Sequence, residues 1–231
     1  MLATHDDLRD RVARIRGQYD AFYGSADIAH YSPRLTRRLL QVLFDHAKVP
    51  RTSRILDLGC GAGYYSAILR GLGFPVVGID ISETAIAKAR GAHPGIEFHV
   101  ADALNLDDAL KPFDAIFMMG CSLLNTPSLE TIQSVVLRVA AQLNPGGVLL
   151  LVFGSDLTGH ASAKSDWINH GPENLRRFAT RSDLAVEGPY LSHVRLIHLL
   201  RGAALNPIVS RLLLNPRGLF RRLVVIYVRP R

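Results

Sequence analysis

Short apolar runs alternate with segments of helical spacing through the middle of the chain. Five apolar runs have the length of strands: residues 55–58, 75–80, 96–100, 113–119 and 148–153. Three segments between them carry apolar residues at helical spacing: residues 62–72, 83–90 and 128–143. Apolar runs without polar alternation are typical of parallel strands covered on both faces. The alternation therefore predicts an α/β fold, a Rossmann-like, doubly wound and mostly parallel sheet.

The flanks of this core have a different pattern. Apolar residues at helical spacing predict a first helix through Leu8, Val12 and Ile15, and a second helix that starts after Ser32-Pro33 and ends near Pro50. After Gly154 the periodicity is weaker. It predicts a helix near 173–180 and strands near 186–198 and 223–228.

Composition and charge narrow the class of protein. The 231 residues carry a formal charge of +7, and only two are cysteines. So few cysteines are typical of a reducing compartment, and we therefore expect a cytoplasmic protein. We also expect neither a signal peptide nor a membrane span. Residues 1–170 hold 16 basic and 17 acidic side chains, whereas residues 171–231 hold 11 and 3. The positive charge therefore belongs to the last quarter of the chain.

The strongest chemical signal is a glycine loop after the first predicted strand. Gly59, Gly61 and Gly63 follow Asp57 there, and Asp80 ends the second strand, 21 residues beyond Gly59. Glycines let a ligand approach the backbone closely, and an acidic residue at that spacing can hold ribose hydroxyls. The third strand is also followed by a carboxylate, at position 102. A capping role in turns is the alternative for these aspartates.

The loop does not fit the usual phosphate-binding patterns. A dinucleotide fingerprint requires a small residue where this chain has Tyr64, and no Lys-Ser/Thr pair follows the glycines as in a P-loop. Carboxylates rather than cations surround the loop. The pattern therefore favours a cationic ligand that has a ribose and no phosphates.

The ordered motifs resemble those of the class I S-adenosylmethionine-dependent methyltransferases of the small-molecule type. Five segments carry the resemblance, in order: residues 55–63, 76–82, 99–103, 113–117 and 143–147. The resemblance implies a seven-stranded sheet with an antiparallel last strand. It also implies a helical extension or lid (1–50) and a methyltransferase domain (51–231). The core of that domain would span 53–153, and its acceptor-site insertions 154–222.

The resemblance further implies a site for S-adenosylmethionine (SAM), whose product is S-adenosylhomocysteine (SAH). Twelve residues would form it: Asp57, Gly59, Cys60, Gly61, Gly63, Asp80, Ile81, Asp102, Ala103, Gly120, Tyr31 and Arg34. The three loop glycines would line the methionine moiety, with Asp57 near its ammonium group. Asp80 would hold the ribose hydroxyls, and Asp102 would accept a hydrogen bond from the adenine amino group. Gly120 would border the sulfonium, and no metal is expected.

Residues before the core are candidates for closing over the cofactor. Tyr19, Tyr23 and Tyr31 would do so in the family's manner, and Arg34 would pair with the cofactor carboxylate. The alternative for the tyrosines is an ordinary place in the core. A hydroxyl acceptor usually benefits from a base with a pKa near neutrality, and histidine is the usual choice. His160 and His170, in the region after the fifth predicted strand, are the candidate catalytic bases.

The sequence leaves the acceptor and the basic tail open. It favours methyl transfer at oxygen to a small or amphiphilic molecule. An RNA methyltransferase and a non-catalytic cofactor-binding module are the alternatives. From Tyr190 to Arg231 the chain has eight arginines and no Asp or Glu. Three interpretations compete: solvated arginines around an antiparallel last strand, a surface that contacts anionic membrane lipid from the cytoplasmic side, and an RNA-binding surface.

Overall fold

A computed structural model describes residues 5–25, 32–110, 112–161, 167–178, 184–209 and 222–230. Its helices are α1 (His5–Ser25), α2 (Pro33–His46), α3 (Tyr64–Gly71), α4 (Glu83–Ala92), α5 (Leu129–Ala140), α6 (Pro172–Phe178) and α7 (Val194–Leu200). Its strands are β1 (Ile55–Leu58), β2 (Val76–Asp80), β3 (Glu97–Val100), β4 (Phe113–Met119), β5 (Leu143–Ser155), β6 (Leu184–Ser192) and β7 (Arg222–Pro230). Short 3₁₀ turns occupy Asp108–Leu110, Ser122–Leu124 and Arg201–Ala204.

The seven strands form one sheet in the order β3-β2-β1-β4-β5-β7-β6. The strands β3, β2, β1, β4 and β5 are parallel to one another, whereas β7 runs antiparallel to both β5 and β6. The predicted Rossmann-like sheet with an antiparallel last strand is confirmed. The tail segment near 223–228 is therefore part of the sheet, and six consecutive residues of β7 from Leu223 are buried.

Two hydrophobic layers hold helices on the two faces of the sheet. One layer joins α1 and α5 to the strands through Leu8, Val135 and Val139. The other joins α2 to the opposite face, where the Phe44 ring lies 4.9 Å from the Phe74 ring. Burial on both faces explains why β1 is apolar except for its one aspartate.

Some predicted boundaries are wrong. The apolar stretch 186–198 is not one strand, because β6 ends at Ser192 and α7 begins at Val194. The imidazole of His193 accepts a hydrogen bond from the backbone N–H of Arg195, which caps the start of that helix. Strand β5 also begins at residue 143, five residues before the predicted start. Of the predicted helix at 173–180, the last two residues lie outside the described residues.

Several loops meet at the carboxyl edge of the parallel strands. Strand β6 also ends there, because Ser192 pairs with Leu223, which pairs with Gly154 near the end of β5. Helix α2 begins near the same edge, where the Thr36 and Tyr64 hydroxyls share a 3.1 Å hydrogen bond. In the described part of the chain, no helix is long and apolar enough to cross a membrane.

Candidate functional site

The loop between β1 and α3 is fixed by backbone bonds to the next strand. The N–H groups of Gly59 and Cys60 both donate to the carbonyl of Ile79, each at 2.9 Å. Gly59, Gly61 and Gly63 have φ values of +75°, +54° and +84°. This left-handed region disfavours side chains, so the loop's tight course depends on glycine.

Asp80 joins this loop to the end of β2. Its Oδ2 accepts a hydrogen bond of 2.9 Å from the Gly61 N–H, and its Oδ1 accepts one of 3.0 Å from the Ser82 N–H. Burial raises the pKa of Asp80, and the backbone donors oppose this effect. Each carboxylate oxygen has a second lone pair, so Asp80 can still accept hydrogen bonds from a ligand.

Asp57 lies behind the loop. Its side chain is 2% exposed, and its Oδ2 accepts a 2.5 Å hydrogen bond from the Ser66 hydroxyl on α3. Burial raises the pKa of Asp57 to about 7; the Ser66 hydrogen bond opposes this shift and the charge of Asp80 adds to it. In this position Asp57 ties β1 to α3.

A cavity of about 400 Å³ opens at the carboxyl edge of β1, β2, β3 and β4. Its volume is in the usual range for small-molecule sites. Its walls include the following residues: Val12, Ile15, Tyr19, Tyr23, Leu58, Gly59, Cys60, Tyr65, Ile79, Asp80, Ile81, Ala101, Asp102, Ala103, Met119, Gly120, Cys121, Ser122, Leu123, Phe153, Gly154 and Trp167. Among the described residues, the lining contains no Lys, Arg or His.

The charges of the cavity suit a cation. Asp80 and Asp102 are its carboxylic acids, at the ends of the neighbouring strands β2 and β3. Burial raises the pKa of Cys121 to about 12 and that of Cys60 well above its usual value, so both thiols are neutral. A ligand with a ribose, an adenine and a sulfonium therefore meets backbone, carboxylate and apolar groups that fit it. Within the described residues, no group of three His, Cys, Asp or Glu side chains is placed to hold a metal ion.

Helix α1 forms a roof over the cavity and is attached on both sides. On one side, Asp20 Oδ1 accepts a 2.6 Å hydrogen bond from the Ser82 hydroxyl. On the other, the Tyr19 and Ser122 hydroxyls share a hydrogen bond of 2.5 Å. Arg11 donates to the carbonyls of Ser122 and Asn125 at 2.7 and 2.8 Å. These contacts join residues more than 60 positions apart and close the cavity from above.

Seven of the twelve predicted cofactor residues line this cavity: Gly59, Cys60, Asp80, Ile81, Asp102, Ala103 and Gly120. Gly61 borders the cavity through the lining residue Tyr23, whereas Gly63 and the buried Asp57 are not among the lining residues. A Cβ at Gly61 would overlap the Tyr23 hydroxyl, and one at Gly63 would come within 2.8 Å of the Phe98 ring. The Arg34 side chain is exposed and is not part of the lining. Tyr31 lies outside the described residues.

The two histidines predicted as catalytic bases do not lie in the cavity. His170 is 5% exposed, its Nε2 lies 3.3 Å from the Leu124 carbonyl oxygen, and burial lowers its pKa. Its ring packs edge-on against Phe153, on the side of a separate, smaller cavity. His160 is on an exposed loop and is not among the lining residues. Packing holds His170 away from the cavity, whereas His160 is exposed on its loop, and a catalytic role for either histidine stays a prediction.

Several lining residues escaped sequence reasoning. Ser122 could have been suspected from the sequence, because it follows Gly120 closely at the end of a predicted strand. Val12 and Ile15 were predicted only as helix core, and Phe153 only as part of a strand. Their place in the cavity depends on how α1 and β5 meet in three dimensions.

The sheet order is that of a Rossmann-like protein, and its cavity opens at the carboxyl edge of the parallel strands. Residues 55–147 match a family described as "Methyltransferase domain". The ubiquinone biosynthesis O-methyltransferase of Caulobacter vibrioides is 29% identical over 184 residues, which cover 68% of this chain and 65% of that protein. The malonyl-[acyl-carrier protein] O-methyltransferase of Enterobacter lignolyticus is 31% identical over 115 residues, covering 50% of this chain and 44% of that one. This chain thus spans less than two thirds of the length of these relatives.

Solved structures share the fold over nearly the whole chain. The magnesium protoporphyrin IX methyltransferase of Synechocystis PCC 6803 with bound SAH superposes with a TM-score of 0.63 at 14% identity, covering 95% of this chain and all of that one. A DhpI–SAH complex gives a TM-score of 0.59 at 16% identity, covering 99% and 98% of the two chains. The chain is thus similar in sequence to methyltransferases over residues 55–147, and it shares the fold of methyltransferase structures solved with bound SAH.

Proposed function

We propose that the protein transfers a methyl group from SAM to a small or amphiphilic acceptor, at oxygen. The observation that carries this proposal is the cavity itself. A glycine loop and the carboxylates of Asp80 and Asp102 meet there on neighbouring strands, without a cationic side chain among the described lining residues. Such a set favours a nucleoside with a positive charge over a nucleotide with phosphates.

Different groups of the cavity match the ribose, the adenine and the methionine portion of SAM. Asp80 accepts hydrogen bonds from the ribose hydroxyls through the lone pairs that Gly61 and Ser82 leave open. Asp102 accepts from the adenine amino group, while its Oδ1 also accepts a 2.9 Å bond from the Leu104 N–H. The cysteine thiols and the glycine backbone surround the methionine portion without opposing its charge.

Positioning is the main task of the protein in this reaction. When bound, SAM would supply an electrophilic methyl group: the acceptor oxygen would bond to the methyl carbon as the carbon–sulfur bond breaks, SAH would leave, and the hydroxyl proton would pass to solvent. The roof helix and the apolar walls exclude water and hold the two reactants in line, which supplies ~7–11 kcal/mol of the barrier in well-oriented reactions. Tyr19 on α1 and Ser122 after β4 place their hydroxyls in the cavity lining. These hydroxyls orient the acceptor oxygen by hydrogen bonding.

Transfer to oxygen is supported by the named activities of two relatives, both O-methyltransferases. An acceptor with an apolar part is supported by the walls near the roof, where Val12, Ile15 and Trp167 line the cavity. These residues offer contact area rather than charge. The acceptor can be sought by incubating the enzyme and SAM with a cell extract and screening for products heavier by one methylene.

Calorimetric titration with SAM tests the cofactor site. Asp102→Asn should weaken binding at least tenfold, because a hydrogen bond to a charged group contributes about 1.5–3 kcal/mol. Asp107→Asn is a matched control. Asp107 makes the same bond to a backbone N–H two residues ahead, also at 2.9 Å, but it lies outside the cavity lining. Absence of SAM binding by the wild type, or equal affinities of the two variants, would refute the assignment.

A further inference from the structure

An exposed apolar patch lies on the segment that follows β6. Leu199 is 76% exposed, Ile208 is 68% exposed and Leu200 is 43% exposed. They are the three most exposed large hydrophobic residues in the described part of the chain, and they fall within ten positions. Apolar residues that gather on a surface mark an interaction site more often than scattered ones do.

The opposite side of this segment is well packed. Ile197, Ala204 and Leu205 are buried in the same hydrophobic layer as α2. Helix α7 and the following 3₁₀ turn both contact α2. The segment is therefore held firmly through its inner side, while its outer side presents the leucines to solvent.

Arginines lie beside these apolar residues. Arg195 and Arg201 are exposed, and we name the set Arg195, Leu199, Leu200, Arg201 and Ile208 the leucine–arginine patch. The sequence from residue 190 to 231 contains eight arginines and no acidic residue to neutralise them. Among the described residues Arg195 and Arg201 form no ion pair, and exposed apolar residues flanked by such arginines complement an interface that is apolar inside and anionic outside.

The segment that carries the patch begins at the carboxyl edge of the sheet. Strand β6 ends at the carboxyl edge of the sheet, and α7 starts two residues later. Helix α2, against which α7 packs, begins at the same edge with the exposed Arg34. The patch is on the face of the sheet that carries α2, whereas the roof helix α1 packs on the other face.

We infer that the leucine–arginine patch docks the protein on anionic phospholipid bilayers. Leu199, Leu200 and Ile208 enter the boundary between head groups and acyl chains, and Arg195 and Arg201 bind lipid phosphates. The docking goes beyond the proposed methyl transfer and does not depend on it.

Co-sedimentation of the full chain with vesicles tests this inference. The wild type should bind phosphatidylcholine vesicles that contain about 30 mol % phosphatidylglycerol, and bind pure phosphatidylcholine at least tenfold more weakly. Arg195→Gln with Arg201→Gln should reduce binding about 25-fold, at about fivefold per arginine, and should flatten its salt dependence. Leu199→Gln with Ile208→Gln should reduce binding at least tenfold at every salt concentration.

Matched controls separate the patch from general effects. Arg70→Gln removes an exposed arginine from α3, and Val100→Gln changes another exposed apolar residue; neither should alter vesicle binding. Circular dichroism and SAM titration report folding of each variant. Should the double apolar variant misfold, the single Leu199→Gln change decides, since that side chain is the most exposed.

Three results would overturn the inference. The first is absence of vesicle binding by the wild type at low salt. The second is equal loss in the control variants. The third is that the patch substitutions leave vesicle binding intact but abolish binding to single-stranded RNA, measured in parallel. SAM affinity is recorded in every case, so failure of the docking and failure of the cofactor assignment are distinguishable.

Discussion

Burial of Asp57 makes the stability of this protein depend on pH. Burial raises the pKa of this carboxyl from 3.8 to about 7, although the Ser66 hydroxyl opposes the shift. Because the folded-state pKa lies above the unfolded one, the native state binds the proton more tightly. This contribution to stability is complete below about pH 4 and is lost as the pH rises through about 7. Between about pH 5 and about pH 8 the loss is about 2–3 kcal/mol.

Asp57→Asn removes this dependence, because the amide stays neutral. Urea unfolding of both proteins from about pH 5 to about pH 8 measures the effect as the difference between their unfolding free energies. That difference should change by about 2–3 kcal/mol in favour of the variant as the pH rises. Asp80 and the surface groups remain in both proteins, so their contributions largely cancel. Ser66→Ala should make the unfolding free energy depend more steeply on pH than it does in the wild type, because it removes the hydrogen bond that favours the ionised form of Asp57. Parallel curves for wild type and Asp57→Asn would refute the reasoning.

Three further changes test the roof and the core. Gly61→Ala should weaken SAM binding about tenfold, because its Cβ would overlap the Tyr23 hydroxyl and its φ of +54° is strained for alanine; unchanged affinity by calorimetry would contradict the contact. Arg11→Met should lower hydrogen-exchange protection of α1 at least tenfold, since it removes two bonds from a charged group. Arg9→Met, at an exposed position of that helix, is its control. Phe44→Ala should cost about 3–5 kcal/mol in urea unfolding, because the ring is fully buried; a cost below about 1.5 kcal/mol would show that the core collapses around it.

The central fold could be predicted because its signals are local. Buried parallel strands are apolar along their whole length, and the glycines and Asp80 occupy fixed positions at strand ends. The boundary between β6 and α7 could not be found this way, because apolar residues continue across it. Its signal is one capping imidazole, that of His193, and histidine is not among the usual capping residues.

The cavity was predictable in its floor and not in its roof. Gly59, Asp80 and Asp102 are near their partners in sequence or at the ends of adjacent strands. Arg11 donates to two carbonyls that are more than 100 residues away in the sequence, and no local sequence pattern predicts such a contact. The burial of His170 is likewise a matter of tertiary packing, because its ring lies against Phe153 of β5.

The position of β7 in the sheet has a consequence for the order of folding. Strand β6 is synthesised about 30 residues before β7, yet its only strand partner in the described structure is β7. Until β7 is in place, β5 ends the sheet with an open apolar edge, and β6 has no neighbour to pair with. Such edges invite pairing between molecules. The interval between synthesis of β5 and docking of β7 is thus the stage at which this chain is most exposed to aggregation.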